Sequence, residues 1–394
     1  MDVNTKKASI APGLTLLALA ISAFAIGSTE FISVGLIPML VKSFGITVSQ
    51  AGLTVSIYAL GIVVGAPLLT ILSNRINRKT LMILIMLLFI IGNVMDAVAP
   101  TFTILLIGRV FAAFAHGIFM TVSSIIAADV VAPNKRASAI AIMFTGLTVA
   151  TVTGVPLGTF IGQITNWHMT FLFISVIGVI GLIANAILVP NNLPLPAKTN
   201  ALGILRVLKN PQLLVALLIT VFGYGGTFVV YTYLSPILEQ SMHWSAGAVV
   251  VILIIYGLMV AVGNTIGGRL ANQKTLPALL AMFIGLAAVL LILQFTLKLH
   301  WLGLITVLLM GLFAFMNVPG LQLYIMKLAE KFTPNDVTMA SALNISAFNV
   351  GIALGSRVGG YLFEQFGITT TPISGAMMVG VGIILTWLLI KMKK

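Results

Sequence analysis

The stretch ISAFAIGSTEFISVGLIPML, residues 21–40, is apolar along almost its whole length, yet it carries a glutamate at position 30. An apolar run of about 20 residues is long enough to cross a bilayer as a helix. A charged side chain inside such a helix costs about 2.5 kcal/mol or more, and ionisable residues within spans usually have a function. Glu30 is therefore the first candidate functional residue of this chain.

The composition of the whole chain is typical of a polytopic α-helical membrane protein. Its 394 residues are 59% hydrophobic and 7% charged, whereas soluble domains carry about 25% charged residues. The chain has no cysteine, which excludes disulfides and cysteine-ligated metals, and we expect neither a metal nor a cofactor. The net charge of +13 comes from small basic groups between apolar runs. That pattern favours topology signals over a nucleic-acid interface.

Apolar runs punctuated by glycine, proline and charge predict twelve transmembrane helices and an all-α fold. The predicted spans are 13–40, 47–73, 80–99, 102–128, 137–163, 168–189, 211–238, 245–270, 276–297, 300–327, 337–363 and 368–390. With the N-terminus inside, 17 of the 21 lysines and arginines fall on inner segments. This bias predicts cytoplasmic termini in a bacterial-type plasma membrane.

The two halves of the chain resemble each other. GVPLGTFIG begins at Gly154 in span five, and GIALGSRVG begins at Gly351 in span eleven, 197 residues later. The longest polar interruption lies at 190–210. We therefore predict a six-helix bundle over 1–189, a cytoplasmic linker over 190–210 and a second bundle over 211–394. In transporters with this plan the substrate site lies between the bundles near the middle of the membrane.

Several short motifs recur in one known family. They are TEF at Thr29–Phe31 with Pro38, NRINRK at 74–79, LLIGRVFAAFAHG at 105–117 and GVPLG at 154–158. Together they resemble the major facilitator superfamily, and within it the twelve-span drug:proton antiporter branch of sugar-, chloramphenicol- and purine-efflux type proteins. The resemblance covers essentially the whole chain. It implies a secondary transporter rather than an enzyme, and we expect a functional monomer.

The loop after span two departs from the superfamily pattern. Asn74 stands where an aspartate is usual, and Thr70 stands where a glycine is usual, so the acidic partner of a charge relay is missing. The resemblance still implies a gating role for the loop and for the end of span five, although tight helix packing explains the glycines equally well. The implied gate residues are Asn74, Arg75, Arg78, Lys79, Gly154, Pro156 and Gly158.

Three ionisable residues are predicted to share one depth zone. At 1.5 Å per residue, Glu30 lies about 15 Å below the outer end of span one. Arg109 lies about 10 Å, and His116 about 21 Å, below the outer end of span four. Arg109 and His116 are two turns apart and share a helix face. We hypothesise that Glu30 binds the coupling proton, Arg109 tunes its affinity for the proton, and His116 relays it. The alternative is a structural buried ion pair.

Aromatic and amide residues are predicted to line the substrate cavity, with apolar contact and a few polar anchors. Arg357 is predicted to pair with Glu30 or Glu364, or to attract an anionic group of the substrate. The alternative is that its side chain reaches the outer surface of the membrane. Asp96, Glu239 and Glu364 are predicted to reach headgroups or water. The predicted cavity residues are Tyr58, Phe222, Tyr224, Tyr231, Tyr256, Asn317, Asn344, Phe348, Asn349 and Arg357.

These observations predict a secondary active exporter. Inward proton movement would drive efflux of neutral or cationic amphiphiles such as drugs by alternating access. No GxxxxGK[ST] loop is present, so ATP is not the expected direct energy source. The alternative substrates are metabolites such as a sugar or a purine nucleoside. A passive facilitator and a membrane-embedded enzyme are the other classes considered.

Overall fold

The structure is a computed structural model that describes residues 11–72, 76–132, 136–193 and 201–392. Those ranges contain helices and connecting turns and no β-strand. The α-helices are α1 (Pro12–Phe44), α2 (Val48–Leu72), α3 (Arg78–Ala97), α4 (Phe102–Asp129), α5 (Arg136–Val149), α6 (Val155–Ile164), α7 (Trp167–Leu188), α8 (Ala201–Lys209), α9 (Pro211–Ile219), α10 (Gly225–Tyr231), α11 (Leu234–Pro236), α12 (Ala246–Gln273), α13 (Thr275–Thr296), α14 (His300–Ala314), α15 (Val318–Phe332), α16 (Val337–Phe366) and α17 (Thr371–Met392).

Twelve helical segments of the described chain are long and apolar enough to cross a membrane, which confirms the predicted number of spans. Span five comprises α5 and α6, span seven comprises α9 to α11, and span ten comprises α14 and α15. The first span is longer than predicted, because α1 continues to Phe44 and ends at Gly45. Gly45 has φ +62°, the left-handed conformation in which glycine commonly ends a helix.

Three spans are irregular where the sequence predicted continuous helices. A π-helical segment, Ala150–Gly154, joins α5 to α6, and a second one, Thr220–Tyr224, joins α9 to α10. A third, Ile237–Ser241, follows α11, and span ten is interrupted by a turn at residues 315–317. Such π-helical segments interrupt the regular hydrogen bonding and are frequent at functional sites.

The glycine-rich runs of spans five and eleven make equivalent contacts. A Cβ atom built on Gly154 would lie 2.1 Å from Oγ of Ser28 in α1. A Cβ atom on Gly355 would lie 2.1 Å from the carbonyl oxygen of Gly225 in α10. Span five therefore packs on span one as span eleven packs on span seven, and the missing side chains permit both approaches.

The first six and last six spans are in contact near one end of the molecule. We call the end where α1 begins and α17 ends the terminal end, and the opposite one the distal end. The distal helix α6 and the segment Ala150–Gly154 pack on α12, α2 packs on α16, and α1 packs on α11. By contrast α5, at the terminal end of span five, packs on α1 and α4 within the first six spans. The structure is thus closed at its distal end.

The predicted linker over 190–210 contains a helix that the sequence analysis did not predict. This helix, α8, packs on α9 and α16. Arg206 in α8 donates two hydrogen bonds to Asp336, from Nε to Oδ2 and from Nη2 to Oδ1, each 2.7 Å long. The hydrogen bond from Arg206 lowers the pKa of the Asp336 carboxyl below its ordinary value. This ion pair attaches the segment to the start of span eleven, while residues 194–200 lie outside the described ranges.

Candidate functional site

The Arg109 side chain is fully buried where α4 meets α1 and α2. Its guanidinium group donates hydrogen bonds to the main-chain oxygens of Thr29 at 2.7 Å, Glu30 at 3.4 Å and Thr54 at 3.3 Å. Its central carbon lies 4.1 Å from the centroid of the Tyr58 ring, a favourable cation–π distance. Arg109 forms no salt bridge among the residues that the structure describes. Main-chain carbonyls and an aromatic face thus hold this cation.

The sequence analysis assigned Tyr58 to the substrate cavity; the structure packs it against Arg109 and His116, and its role in the cavity stays a prediction. Tyr58 is buried beneath Arg109, and its hydroxyl lies 3.1 Å from Nδ1 of His116. Arg109 and His116, the two predicted residues of span four, are therefore joined through Tyr58 of span two. Their seven-residue spacing does place them on one face, as expected, because both contact Tyr58.

The Glu30 side chain differs from its neighbours because it is partly exposed, whereas Thr29 and Phe31 are buried. Its carboxyl group lies within electrostatic range of both Arg109 and Tyr231. The structure thus brings Glu30 and Arg109 close together through the Glu30 main chain. A Glu30 side chain with access to solvent can exchange protons and can attract a cationic group.

The sequence analysis missed Asp96. It was predicted to reach headgroups or water, but the structure buries it completely, and neither carboxyl oxygen has a hydrogen-bond partner within the described ranges. Asp96 lies on the buried face of α3 with Phe89 and Asn93, and Asn93 is hydrogen-bonded to the Thr29 hydroxyl. The three- and four-residue spacing of this face was the sequence signal that could have identified it.

An aromatic cluster lies next to Glu30 and joins span one to the last six spans. Tyr224 and Phe348 have ring centroids 4.9 Å apart, and the rings of Tyr231 and Tyr256 stack at 5.2 Å. Phe31 joins the cluster from α1, 6.1 Å from Tyr231. The cluster consists of Phe31, Tyr224, Phe228, Tyr231, Tyr256, Phe315 and Phe348.

Most rings of the aromatic cluster pack against one another instead of lining open space. Tyr224, Tyr231 and Tyr256 are each less than 5% exposed, at 4%, 2% and 1%. Phe315 and Phe348 are partly exposed, as Glu30 is, and we call these three side chains the accessible edge of the cluster. They are a carboxylate and two aromatic rings.

Two predicted cavity residues occupy other places. Phe222 is partly buried in the π-helical segment Thr220–Tyr224 and makes none of the ring contacts of the aromatic cluster. Arg357 is exposed together with Leu354 and Val358. The opposite face of α16 packs on α2 through Ser356. The rotation of α16 thus favours the alternative that Arg357 reaches the outer surface, and its role in the cavity stays a prediction.

The predicted amide residues divide into two groups. Asn344 accepts a hydrogen bond from Thr220 at 2.7 Å and donates one to Gln322 at 2.8 Å, which joins spans seven, ten and eleven. Asn317 and Asn349 donate only within their own spans. Their side-chain oxygens are buried and lack a partner in the described part of the chain. Asn344 thus has a packing role here, whereas the other two retain unused acceptors.

The predicted gate after span two has an acidic partner that the sequence analysis did not identify. Arg78, at the start of α3, forms a partly buried salt bridge with Asp129, the last residue of α4. A carboxylate is unfavourable at a helix C-terminus, and the arginine offsets this cost. Asp129 therefore supplies the charge that Asn74 lacks, while Asn74 and Arg75 themselves lie outside the described residues.

The other predicted gate residues take part in helix starts and helix packing. Asn77 caps α3 by accepting a hydrogen bond from the main-chain nitrogen of Lys79 at 2.9 Å. Pro156 lies in the first turn of α6. A Cβ atom on Gly158 would lie 2.6 Å from a carbon of Ile32. These contacts explain the residues as packing elements, and their role in gating stays a prediction.

A polar cluster closes the distal end between α2 and α16. Ser56 donates a hydrogen bond to the Ser356 hydroxyl at 3.0 Å, and Ser356 donates one to the carbonyl oxygen of Gly52 at 3.2 Å. The Tyr233 hydroxyl donates to the carbonyl oxygen of Ser356 at 2.8 Å. Two of these bonds join the first six spans to the last six, so their loss would accompany any opening at this end.

Comparisons with known proteins agree with this architecture. The profile of the Major Facilitator Superfamily matches residues 19–333. The uncharacterised MFS-type transporter YtbD of Bacillus subtilis (strain 168) is 55% identical over 373 residues, which cover 94% of each chain. A probable sugar efflux transporter of Helicobacter pylori (strain P12) is 32% identical over 386 residues, 95% of each chain.

A solved structure shows the same fold. The crystal structure of a D-xylose-proton symporter matches with a TM-score of 0.76 over 96% of this chain and 97% of that chain, at 14% sequence identity. At this identity the likeness concerns the fold alone. With the profile match, the relatives and the twelve spans, the chain belongs to the Major Facilitator Superfamily and is a membrane transporter, not an enzyme.

Proposed function

We propose that this transporter is a proton-coupled exporter of small neutral or cationic amphiphiles. The observation that carries the proposal is the position of Glu30. Glu30 is partly exposed, and its carboxyl lies within electrostatic range both of the buried Arg109 cation and of Tyr231 in the aromatic cluster. One side chain is thereby available both to a proton and to a cationic substrate, so that the two can compete.

The chemistry of the accessible edge favours an aromatic or cationic ligand. Phe315 and Phe348 are partly exposed rings of the aromatic cluster, which Phe31, the residue after Glu30, joins from α1. Aromatic rings attract organic cations through their quadrupoles, and a neighbouring carboxylate strengthens that attraction. Protonation of Glu30 would remove the negative charge and weaken the binding of such a cation. Exchange of a proton for a substrate follows from this competition.

In an alternating-access cycle, protons move inward across the membrane as substrate moves outward. With both termini in the cytoplasm, as the basic residues predict, the closed distal end faces outward and the Glu30 edge faces inward. Substrate would bind from the cytoplasm in this state. Opening of the α2–α16 contact would then release it outside, and a proton taken up there would return the carrier. The membrane potential contributes about 2.3 kcal/mol per charge for each 100 mV.

A metabolite is the second candidate substrate. The Helicobacter pylori relative is named a probable sugar efflux transporter, and sugars also stack on aromatic rings. Asn317 and Asn349 retain side-chain oxygens without a partner in the described residues, and these oxygens can accept hydrogen bonds from hydroxyl groups. This reading keeps the same fold and the same proton site.

The test is transport into inside-out vesicles. We expect an acidic lumen to drive uptake of tetraphenylphosphonium, an aromatic cation. We expect Glu30→Gln to abolish this gradient-driven uptake and to leave only weakened counterflow exchange of the labelled cation, because the neutral side chain no longer attracts it. The exposed carboxylate variant Glu364→Gln is the matched control and should transport normally. Uptake that survives collapse of the pH gradient, or that Glu30→Gln leaves intact, would contradict proton coupling. Uptake of arabinose or adenosine in place of the cation would favour the metabolite.

A further inference from the structure

Asp96 is a buried carboxyl group that the proposed mechanism does not yet use. It lies on the face of α3 that packs against α4 and has no exposed surface. A Cβ atom on Gly108 would lie 2.3 Å from Oδ1 of Asp96, so the absence of a side chain at this glycine makes room for the carboxyl group. The next residue in α4 is Arg109. The packing thus places Asp96 next to the helix position that carries Arg109, the buried cation of the Glu30–Arg109 site.

The charged and titratable groups around Asp96 come from four helices. The nearest in electrostatic terms is Arg109, and Tyr58 is also within range. The main-chain oxygen of Glu30 accepts a hydrogen bond from the Arg109 guanidinium, and the His116 ring lies 3.1 Å from the Tyr58 hydroxyl. From α7, Nδ1 of His168 lies 2.9 Å from the carbonyl oxygen of Ala97, so this ring is engaged with the main chain.

Two carboxyl groups therefore share one cation. Arg109 is engaged by main-chain oxygens of α1 and α2 and forms a salt bridge with neither carboxyl in the described structure. An ionised carboxylate without hydrogen bonds is strongly disfavoured in a buried site. Asp96 has no hydrogen-bond partner for either oxygen within the described residues. A bound proton removes this cost.

We propose that Asp96 is a second proton-binding site of this transporter. It holds a proton while Arg109 is bound to the carbonyl oxygens of α1. When the guanidinium turns toward α3, the O–H bond of Asp96 breaks, the proton passes to water, and the remaining carboxylate pairs with Arg109. The inference rests on the proposed function, since it adds a second carboxyl to the proton-coupling site of the exporter.

The test uses the protein reconstituted in lipid and needs no substrate. Infrared difference spectra between acidic and alkaline buffer report the C=O stretch of each protonated carboxyl group that titrates. We expect separate bands from Glu30 and Asp96, of which Asp96→Asn removes only the second and Glu30→Gln removes the first. Glu364→Gln, at an exposed carboxylate, is the control and should leave the bands of Glu30 and Asp96 unchanged.

Two results would overturn the second site. One is a difference spectrum of Asp96→Asn that superimposes on that of the unmodified protein. The other is a set of absolute spectra in which the band that Asp96→Asn removes is equally strong at all pH values, which would show a permanently protonated group. Gly108→Ala is an independent variant, because the added methyl group displaces the carboxyl and should shift the same band. Thermal unfolding verifies that each variant is folded.

The vesicle assay separates this inference from the proposed function. If Glu30→Gln retains gradient-driven uptake of tetraphenylphosphonium, proton coupling at Glu30 is wrong, whatever the spectra of Asp96→Asn show. If Glu30→Gln loses that uptake and Asp96→Asn has unchanged spectra, the exporter proposal stands and only the second site is wrong. If both variants lose uptake and each loses its own band, both proposals are supported.

Discussion

The Nη1 atom of Arg109 donates a 2.7 Å hydrogen bond to the main-chain oxygen of Thr29, so a buried cation joins the fourth span to the first. The same guanidinium group reaches the main chain of Glu30 and Thr54. A planar group with five donors is suited to bridge three carbonyls in this way. The arginine therefore holds the main chain of α1 at Thr29 and Glu30, in addition to its electrostatic effect on the Glu30 carboxyl.

The first prediction concerns Arg109→Lys. A lysine keeps the charge but cannot bridge two helices and lie flat on the Tyr58 ring, because its donors radiate from one atom. Losing one hydrogen bond from a charged donor should lower the free energy of unfolding by about 1.5–3 kcal/mol. Denaturant unfolding in micelles measures this change. Arg357→Lys, at an exposed site, is the control, and an equal loss there would contradict the prediction.

The second prediction concerns Ser356→Ala. This change removes the hydrogen bonds from Ser356 to Gly52 and from Ser56 to Ser356 and should favour opening of the distal end. Each bond is worth about 0.5–1.5 kcal/mol, so the open population should rise several-fold. Because the chain has no cysteine, spin labels on Gln50→Cys and Gln365→Cys report the distance across this end.

The control for this prediction is Ser175→Ala. Ser175 is also buried, but its hydroxyl donates only to the main chain of its own helix, at 2.8 Å. Its loss should leave the distance distribution unchanged. An identical distribution in Ser356→Ala and the unmodified protein would show that the polar cluster does not hold the distal end closed.

The third prediction compares two glycines of α12. A Cβ atom on Gly257 would lie 2.8 Å from the carbonyl oxygen of Thr151 in span five, whereas one on Gly268 would meet nothing closer than 3.7 Å. Overpacking of a tight contact costs about 1–3 kcal/mol. Gly257→Ala should therefore separate α12 from span five, and Gly268→Ala should leave that contact unchanged. Spin labels on the exposed positions Phe160→Cys in α6 and Val251→Cys in α12 measure this separation, and similar spectra for the two variants would contradict the prediction.

The fourth prediction concerns the pH dependence of the Arg206–Asp336 ion pair. The hydrogen bond from Arg206 lowers the pKa of Asp336 below its ordinary value of 3.8. The ion pair therefore stabilises the fold above that pH, and this stabilisation is lost as the pH falls through the lowered pKa. Arg206→Gln should lower the unfolding temperature at neutral pH and have less effect in strong acid. The effect should be modest, since Arg206 is half exposed.

Asp336→Asn provides the corresponding control. With no titrating carboxyl at position 336, the change in unfolding temperature that Arg206→Gln causes should not depend on acid pH. A change that is equally large in the Asp336→Asn background and in the unmodified protein would show that Arg206 acts through packing of α8, not through the ion pair.

Several features were predictable because they depend on neighbouring residues in the chain. The twelve spans follow from the lengths of apolar runs, and the TEF motif identified Glu30 because a charge in such a run is rare. The glycine runs of spans five and eleven predicted close packing, and the structure shows it at Gly154 and Gly355. The seven-residue spacing correctly placed Arg109 and His116 on one face.

Other features depended on how each helix is rotated about its axis. Arg357 and Ser356 are adjacent in sequence, yet one is exposed and the other closes the distal end. The burial of Asp96 results from its position opposite Gly108 on another helix. Hydropathy averages over all faces of a span, so it cannot distinguish an inward residue from its outward neighbour.

The sequence by itself determined the class of protein, the number of spans, the internal repeat and the choice of Glu30 as a candidate residue, because bilayer thickness and the cost of burying charge act on each span separately. Only the tertiary structure decided that Tyr58 supports Arg109, that Asp129 pairs with Arg78 and that Phe31 joins the aromatic cluster. Those contacts join residues of different spans. Such contacts form when the helices pack. Packing fixes one rotation and one depth for each span, whereas the composition of a span is compatible with many.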